Sequence, residues 1–385
     1  MSEFPTQAQV VIIGGGCGGA SIAYHLAVRG ENDILLIEKE NFFGLGATGR
    51  CAGGVRYQFA TEINIRLSLA SLPLLERFEE EIGQAIDYRK CGYLFLLSNL
   101  DDVAVFQRNL ELQNRLQAGT QWLDGAEIRR RLPMMHLDDI LGGTFNPRDG
   151  LVDPNGVVMG YIRAGQRLGV RALSGVTVTG IQVEGNRVAG VETSAGRVTA
   201  QVVINAAGPW AGLVGKMAGV DIPITPLRRQ WFTTGPMPEI PSDFPFVIDF
   251  AQSLYFHREG QGLLVGMSNP QELPGFDQNV DSDWELVNVE AAAARLPLLE
   301  KASLVSRLAG LYEVTPDAHP VYGRTPVEGF YVCSGFSGHG FMHGPISGIL
   351  MSEIILDGEA QSVDIAGLDL ARFAEGRLIQ EYNVV

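Results

Sequence analysis

Cysteine is scarce in this 385-residue chain: Cys17, Cys51, Cys91 and Cys333 are the four, too far apart for metal-ligand or redox-pair spacing. A disulfide scaffold and a zinc module are thereby excluded, and the thiols are expected to stay reduced, as in a cytoplasmic protein. Positive charge is also in short supply, 29 Lys and Arg against 44 Asp and Glu, a formal net charge of −15. No basic run suits a phosphate backbone, which argues against nucleic acid as a partner. No apolar run approaches the ~20 residues that span a bilayer. The opening MSEFPTQAQ has no basic start, apolar signal core or cleavage site. Low-complexity tracts and internal repeats are missing too. What is present is apolar mass: 46% hydrophobic residues can bury a large core, and the length predicts about two domains.

Residues 10–19, VVIIGGGCGG, carry the strongest local signal. An apolar strand runs into Gly14, Gly16, Cys17 and Gly19, and a helical pattern follows through Ala20, Ile22, Ala23, Leu26 and Ala27 to a stop at Gly30. Gly14 permits a tight turn, Gly16 lets backbone approach a pyrophosphate, and Gly19 lets helix pack on strand. The helix start offers unpaired N–H groups to phosphates. A second strand, DILLIE, ends in Glu38, where a carboxylate accepts hydrogen bonds from an adenosine ribose and disfavours a 2′-phosphate. Strand, glycines, helix, strand and acid in this order read as a dinucleotide site; a structural Gly-rich turn is the plain alternative.

Further along, residues 61–83 show a helical pattern, YRKCGYLFLLS a strand, 101–118 a polar helix and GGTFNPRDGLVDP a turn-rich connection. NGVVMGYIRAGQRLGV reads as a helix, and the alternation from Val176 to Ala200 as a β-meander leading to a strand that ends at Asn205-Ala206-Ala207-Gly208. Strands are expected at Gln230–Thr234, Ser253–His257 and Gly262–Met267 within a Pro- and aromatic-rich insertion. Near the end, a strand at Tyr331–Cys333 enters a loop with Gly335, Gly338 and Gly340, and a helix is expected to open near Pro345 and stop at Gly358. Its positive end is free to face an anion.

Taken together, VVIIGGGCGG, GATGRCAGGVR, NAAGPW, GLYEVTPDAHPVYG and GFSGHGF resemble the D-amino-acid-oxidase-like flavoenzymes, nearest the branch of sarcosine oxidase, glycine oxidase and the proline dehydrogenase β-subunit. The resemblance runs over nearly the whole chain. It implies an α/β fold: a Rossmann-like FAD-binding domain of the glutathione-reductase type (1–85, 146–224 and 306–385) and a substrate domain on a mixed β-sheet (86–145 and 225–305). It implies FAD and the oxidation of an amino acid or amine to an imine, with hydride passing to flavin N5. Flavin contacts are expected from Lys39 beside Glu38, from Ala47, Thr48, Gly49, Arg50, Gly53 and Gly54 in the wrapping loop, and from Val176. The same holds for Ala206, Ala207, Gly208 and Trp210, for Gly310, and for Gly338, His339, Gly340, Phe341 and Met342.

Arg56 matches the arginine that binds the substrate carboxylate in sarcosine oxidase, and a guanidinium can grip a carboxylate through two parallel bonds. A phosphate-neutralising or surface arginine is the alternative. His339 matches the histidine beside the pyrimidine end of the flavin. Tyr255, Tyr312, His257 and His343 are candidate pocket residues by position. Three positions depart from the pattern. Gly310 stands where sarcosine oxidase attaches its flavin, so FAD is expected to be non-covalent; Met342 replaces a carboxylate-binding lysine, with Tyr312 at glycine oxidase's carboxylate-binding arginine. Leu264 replaces the lysine associated with oxygen. A dehydrogenase is therefore expected over an oxidase, with a small amino-acid substrate and a partner subunit or other electron acceptor, in a homo- or hetero-oligomer. Two alternatives stay open: a 2-hydroxy-acid or glycerol-phosphate dehydrogenase, and a flavin-bound assembly subunit without catalysis.

Overall fold

A computed structural model describes residues 4–384. Two sheets organise it. The first has six strands in the order Val321–Arg324, Phe330–Ser334, Val202–Asn205, Val10–Ile13, Ile34–Ile37 and Arg171–Leu173, all parallel except the antiparallel first pair. Its central strands, VVII and ILLI, are wholly apolar because both faces are covered. Val10, Ile12, Ile34 and Leu36 pack with Ile22, Leu26 and Leu350 of the helices Cys17–Val28 and Gly340–Leu356. The alternate residues Val11, Ile13, Leu35 and Ile37 pack on Val178, Val191 and Val198 of the three-stranded antiparallel meander.

The two helices lie against one another through glycines. A Cβ at Gly344 would stand 2.3 Å from Cys17 Sγ, and one at Gly348 2.2 Å from Ser21 Oγ. The second helix starts at Gly340, five residues before the expected Pro345. Proline removes one N–H but tolerates helical φ, and here the carbonyl it leaves unbonded, Phe341 O, accepts from the Cys17 thiol at 3.7 Å.

The second sheet has eight strands: Leu304–Val314, Thr225–Thr234, Gly262–Met267, Leu254–Glu259, Phe246–Asp249, Tyr93–Leu97, Gly142–Asn146 and Gln121–Asp124. Only Phe246–Asp249 and Tyr93–Leu97 run parallel, so the sheet is mixed. One face buries Leu94, Val247, Phe256 and Val265 against the helix Ser282–Arg295; the other turns Tyr93, Phe246, Ile248 and Tyr255 toward the first sheet.

Two expectations need correction. GGTFN is a strand, not a connection. Its glycines reflect crowding, since a Cβ at Gly142 would meet the Trp122 ring at 2.4 Å and one at Gly143 the Phe95 carbonyl at 2.1 Å. The 305/306 boundary falls inside Leu304–Val314, which pairs along its length with Thr225–Thr234, so Gly310 and Tyr312 belong to the large sheet. No helix among the described residues is long and apolar enough to cross a membrane.

Candidate active site

A cleft of about 420 Å³ runs between the two sheets, from the Gly14 turn to Arg56. At the first end, Gly14 takes φ +110°, and a Cβ there would stand 2.3 Å from Ala206 O. The helix Cys17–Val28 begins with no side-chain cap at Gly16 and no acidic residue in its first turn, and of its first N–H groups Cys17 N is taken by Thr48. The Glu38 carboxylate is held by Gly15 N at 2.7 Å and Glu40 N at 2.8 Å. Lys39 Nζ sits 3.4 Å over the Trp210 ring. Ala206, Ala207, Gly208 and Val176 complete this end.

In the middle, the loop with Ala47, Thr48, Arg50, Gly53 and Gly54 wraps the cleft. Thr48 Oγ1 accepts from Cys17 N at 3.2 Å, and Arg50 Nη1 donates to Ala309 O at 2.7 Å, tying the loop to the first helix and to the large sheet. Opposite Arg50, Gly310 has no room for a larger side chain, since a Cβ would stand 2.8 Å from Arg50 Cβ. The second helix N-terminus, with Gly338, His339, Gly340, Phe341 and Met342, closes the middle; it too lacks a side-chain cap and an acid in its first turn. Among the expected cofactor residues, Gly19 and Gly49 do not line the cleft. They pack behind it, their Cβ positions blocked by Gly14 O at 1.9 Å and Gly44 O at 2.3 Å.

The far end holds Arg56, Tyr255, Tyr312 and His339 together. Arg56 is buried, its guanidinium carbon 4.0 Å from the Phe59 ring centre, and it donates to Gln58 O and Asn383 O. Burial pulls its pKa down, while Tyr93, Glu381 and Asp149 act the other way. Among the described residues no carboxylate lies within ion-pair distance of it. His339 is buried with Nε2 unpartnered, and burial, reinforced by the neighbouring His343, keeps its imidazole well below its usual range and hence neutral. His343 and His257 fall outside the cleft lining: His343 bonds Ser68 Oγ at 3.0 Å, and His257 stacks on Phe246.

Sequence reasoning missed several lining residues. Arg229 and Trp231 alternate along Thr225–Thr234, and that alternation was their available signal. Glu313 is a buried carboxyl accepting from Gly335 N at 2.9 Å, pushed up to about 7 by burial. Val384 arrives from a tail fastened by Glu381, whose carboxylate accepts from Ala60 N, Thr61 N, Thr61 Oγ1 and Asn64 Nδ2. Among the described residues no cluster of His, Cys, Asp or Glu could hold a metal ion.

A parallel sheet with a glycine turn, an acid ending its second strand, and two uncapped helix starts on one cleft define a dinucleotide-dependent oxidoreductase. The cradle fits FAD: side chains are absent where backbone would meet its phosphates, and N–H groups are free to meet them. The chain belongs to the DAO family of FAD-dependent oxidoreductases, whose model matches residues 9–354. It is 33% identical to dimethylglycine dehydrogenase of Rattus norvegicus over 97% of its own length and 46% of that protein's, and 32% identical to human sarcosine dehydrogenase over 96% and 42%. The chain thus spans less than half of these curated relatives. Among solved structures, L-proline dehydrogenase from P. horikoshii superposes with a TM-score of 0.90 at 32% identity, covering 97% of this chain and all of that one. Glycine oxidase from Geobacillus kaustophilus, at 24% identity and TM-score 0.85, shares the fold.

Proposed function

We propose that the cleft oxidises the carbon–nitrogen bond of an amino acid with a substituted nitrogen, the electrons passing from FAD to an acceptor other than oxygen. The observation that carries this reading is Arg56: a buried guanidinium beside the cleft with no carboxylate in ion-pair range among the described residues. A substrate carboxylate supplies the missing charge through charge-assisted bonds that fix the molecule's orientation. The relatives named above act, by their names, on dimethylglycine, sarcosine and L-proline, all amino acids with substituted nitrogen.

The Gly14–Cys17 turn, Glu38, the Ala47–Gly54 loop and the helix start at Gly340 would hold FAD, which would supply the two-electron acceptor for the oxidation. The Gly340 helix start stabilises negative charge arriving nearby. Tyr255, Tyr312, Tyr93 and Phe246 wall the substrate and exclude water. His339, neutral through burial, offers Nε2 as a hydrogen-bond acceptor for the N–H of the amine.

The test is anaerobic mixing of the FAD-loaded protein with sarcosine, dimethylglycine, L-proline, glycine, D-amino acids and 2-hydroxy acids, following absorbance near 450 nm, roughly the band of an oxidised flavin. Bleaching by a substituted amino acid is expected. Bleaching by 2-hydroxy acids alone sinks the amine reading, and no bleaching by any of these compounds or by N-(carboxymethyl)glycine points to an assembly role.

A further inference from the structure

Adjacent arginines on one strand have opposite fates. Arg228 points away from the cleft and meets three carboxylates, Glu272 at 3.2 Å, Asp277 at 3.2 Å and Asp281 at 3.3 Å. Arg229 points into the cleft and meets none among the described residues. Its Nη1 donates to Arg228 O at 2.9 Å, its guanidinium carbon lies 5.1 Å from the Tyr312 ring centre, and its Nε is buried without a partner. An orphaned buried donor on a cation is costly unless something binds it.

The register explains the placement. Arg229 lies opposite Gly310, and Tyr312 follows two residues later on the same face. Gly310 offers no side chain to cover the guanidinium. Glu313, a carboxyl that also lines the cleft, is engaged by Gly335 N and forms no ion pair with Arg229. Tyr312 feels the charge of both Arg229 and Arg56, each of which opposes the upward push of burial on its phenol. Two guanidinium groups therefore act on one phenol at the substrate end, neither neutralised by a described carboxylate.

We infer that the substrate carries two carboxylates, one for Arg56 and a second for Arg229: a secondary amine of the N-(carboxyalkyl) amino acid class. This rests on the amine oxidation proposed above. The C–H bond beside nitrogen breaks, its electron pair and hydrogen pass to FAD, the N–H proton leaves to solvent, and water then splits the C=N bond into an amino acid and a 2-oxo acid. A substrate with one carboxylate satisfies only one of the two cations.

Non-oxidisable ethers separate binding from turnover. Spectral titration of the FAD-loaded protein compares diglycolate, a diacid shaped like N-(carboxymethyl)glycine, with methoxyacetate, a monoacid shaped like sarcosine. The expected result is at least about tenfold tighter binding of the diacid, a preference that Arg229→Gln abolishes and Arg229→Lys partly keeps, with flavin content measured alongside to exclude cofactor loss. Equal affinity for the two ethers, or a preference that survives Arg229→Gln, overturns the inference. Anaerobic flavin bleaching by N-(carboxymethyl)glycine and by sarcosine is then compared. If neither bleaches the flavin while the ether preference and its dependence on Arg229 hold, amine oxidation fails and the second carboxylate site stands.

Discussion

At the nucleotide end of the cleft, backbone does most of the binding: a glycine turn, two helix starts and one acid held by amides, drawn mainly from residues 10–38. At the substrate end side chains dominate, and Arg56, Arg229, Tyr312, His339 and Val384 come from five separate segments. A backbone site tolerates little change in the positions that shape it, but its polar groups come with every residue type. A side-chain site is easily retuned, because each member is replaced without moving the chain. This is how one fold keeps its cofactor while substrates diversify.

The largest effect is expected where the backbone site is attacked. Gly19→Ala sets a Cβ 1.9 Å from Gly14 O, so the helix must move off the turn. The protein should lose stoichiometric FAD, which flavin absorbance per chain after gel filtration measures; full retention would deny that the glycine turn shapes the site. Arg56→Lys attacks the other end. It should keep FAD and raise the half-saturating substrate concentration about 30- to 100-fold, since a point charge replaces a forked donor in a buried site. Unchanged kinetics would remove Arg56 from the carboxylate site.

Glu313 sharpens the contrast through pH. Its carboxyl is pushed up to about 7 by burial, above the unfolded value near 4.5, so the folded state holds a proton that the unfolded state has lost. The stability it contributes is complete below about pH 4 and is lost as pH rises to about 7. Glu313→Gln should therefore flatten that part of the profile, seen as the difference between wild-type and variant urea midpoints at about pH 4 and about pH 7, the ends of that window. A constant difference would show that Glu313 does not titrate between them. The smallest effect belongs to Lys39→Ala. Losing its place over Trp210 removes about 0.5–1 kcal/mol, so the FAD dissociation constant should rise less than about tenfold. A larger loss would mean that this side chain binds the nucleotide directly.

Legibility followed the same division. Gly14, Gly16, Gly19 and Glu38 could be read because strand, turn, helix and acid are consecutive and each glycine has a local reason. The strand GGTFN was hidden because glycine is shared by turns and by crowded strands, and only Trp122 and Phe95 across the sheet distinguish them. The early start of the helix Gly340–Leu356 was hidden by Pro345, whose lost bond leaves Phe341 O to a thiol 324 positions away along the chain. Arg56 and His339 were visible through resemblance, while Arg229 was missed, since its neighbour Arg228 is the same residue type and only register tells the two apart.

By itself, the sequence determined the dinucleotide turn, the acid that follows it and the apolar strands that must be covered on both faces, since these depend on chain neighbours and on side-chain period. Only the tertiary structure decided which of two adjacent arginines is neutralised and which faces the cleft, that Tyr312 feels the charge of both Arg56 and Arg229, and that Val384 lines the pocket. Strand pairing sets those relations, and it joins residues by register across the sheet rather than by their distance along the chain.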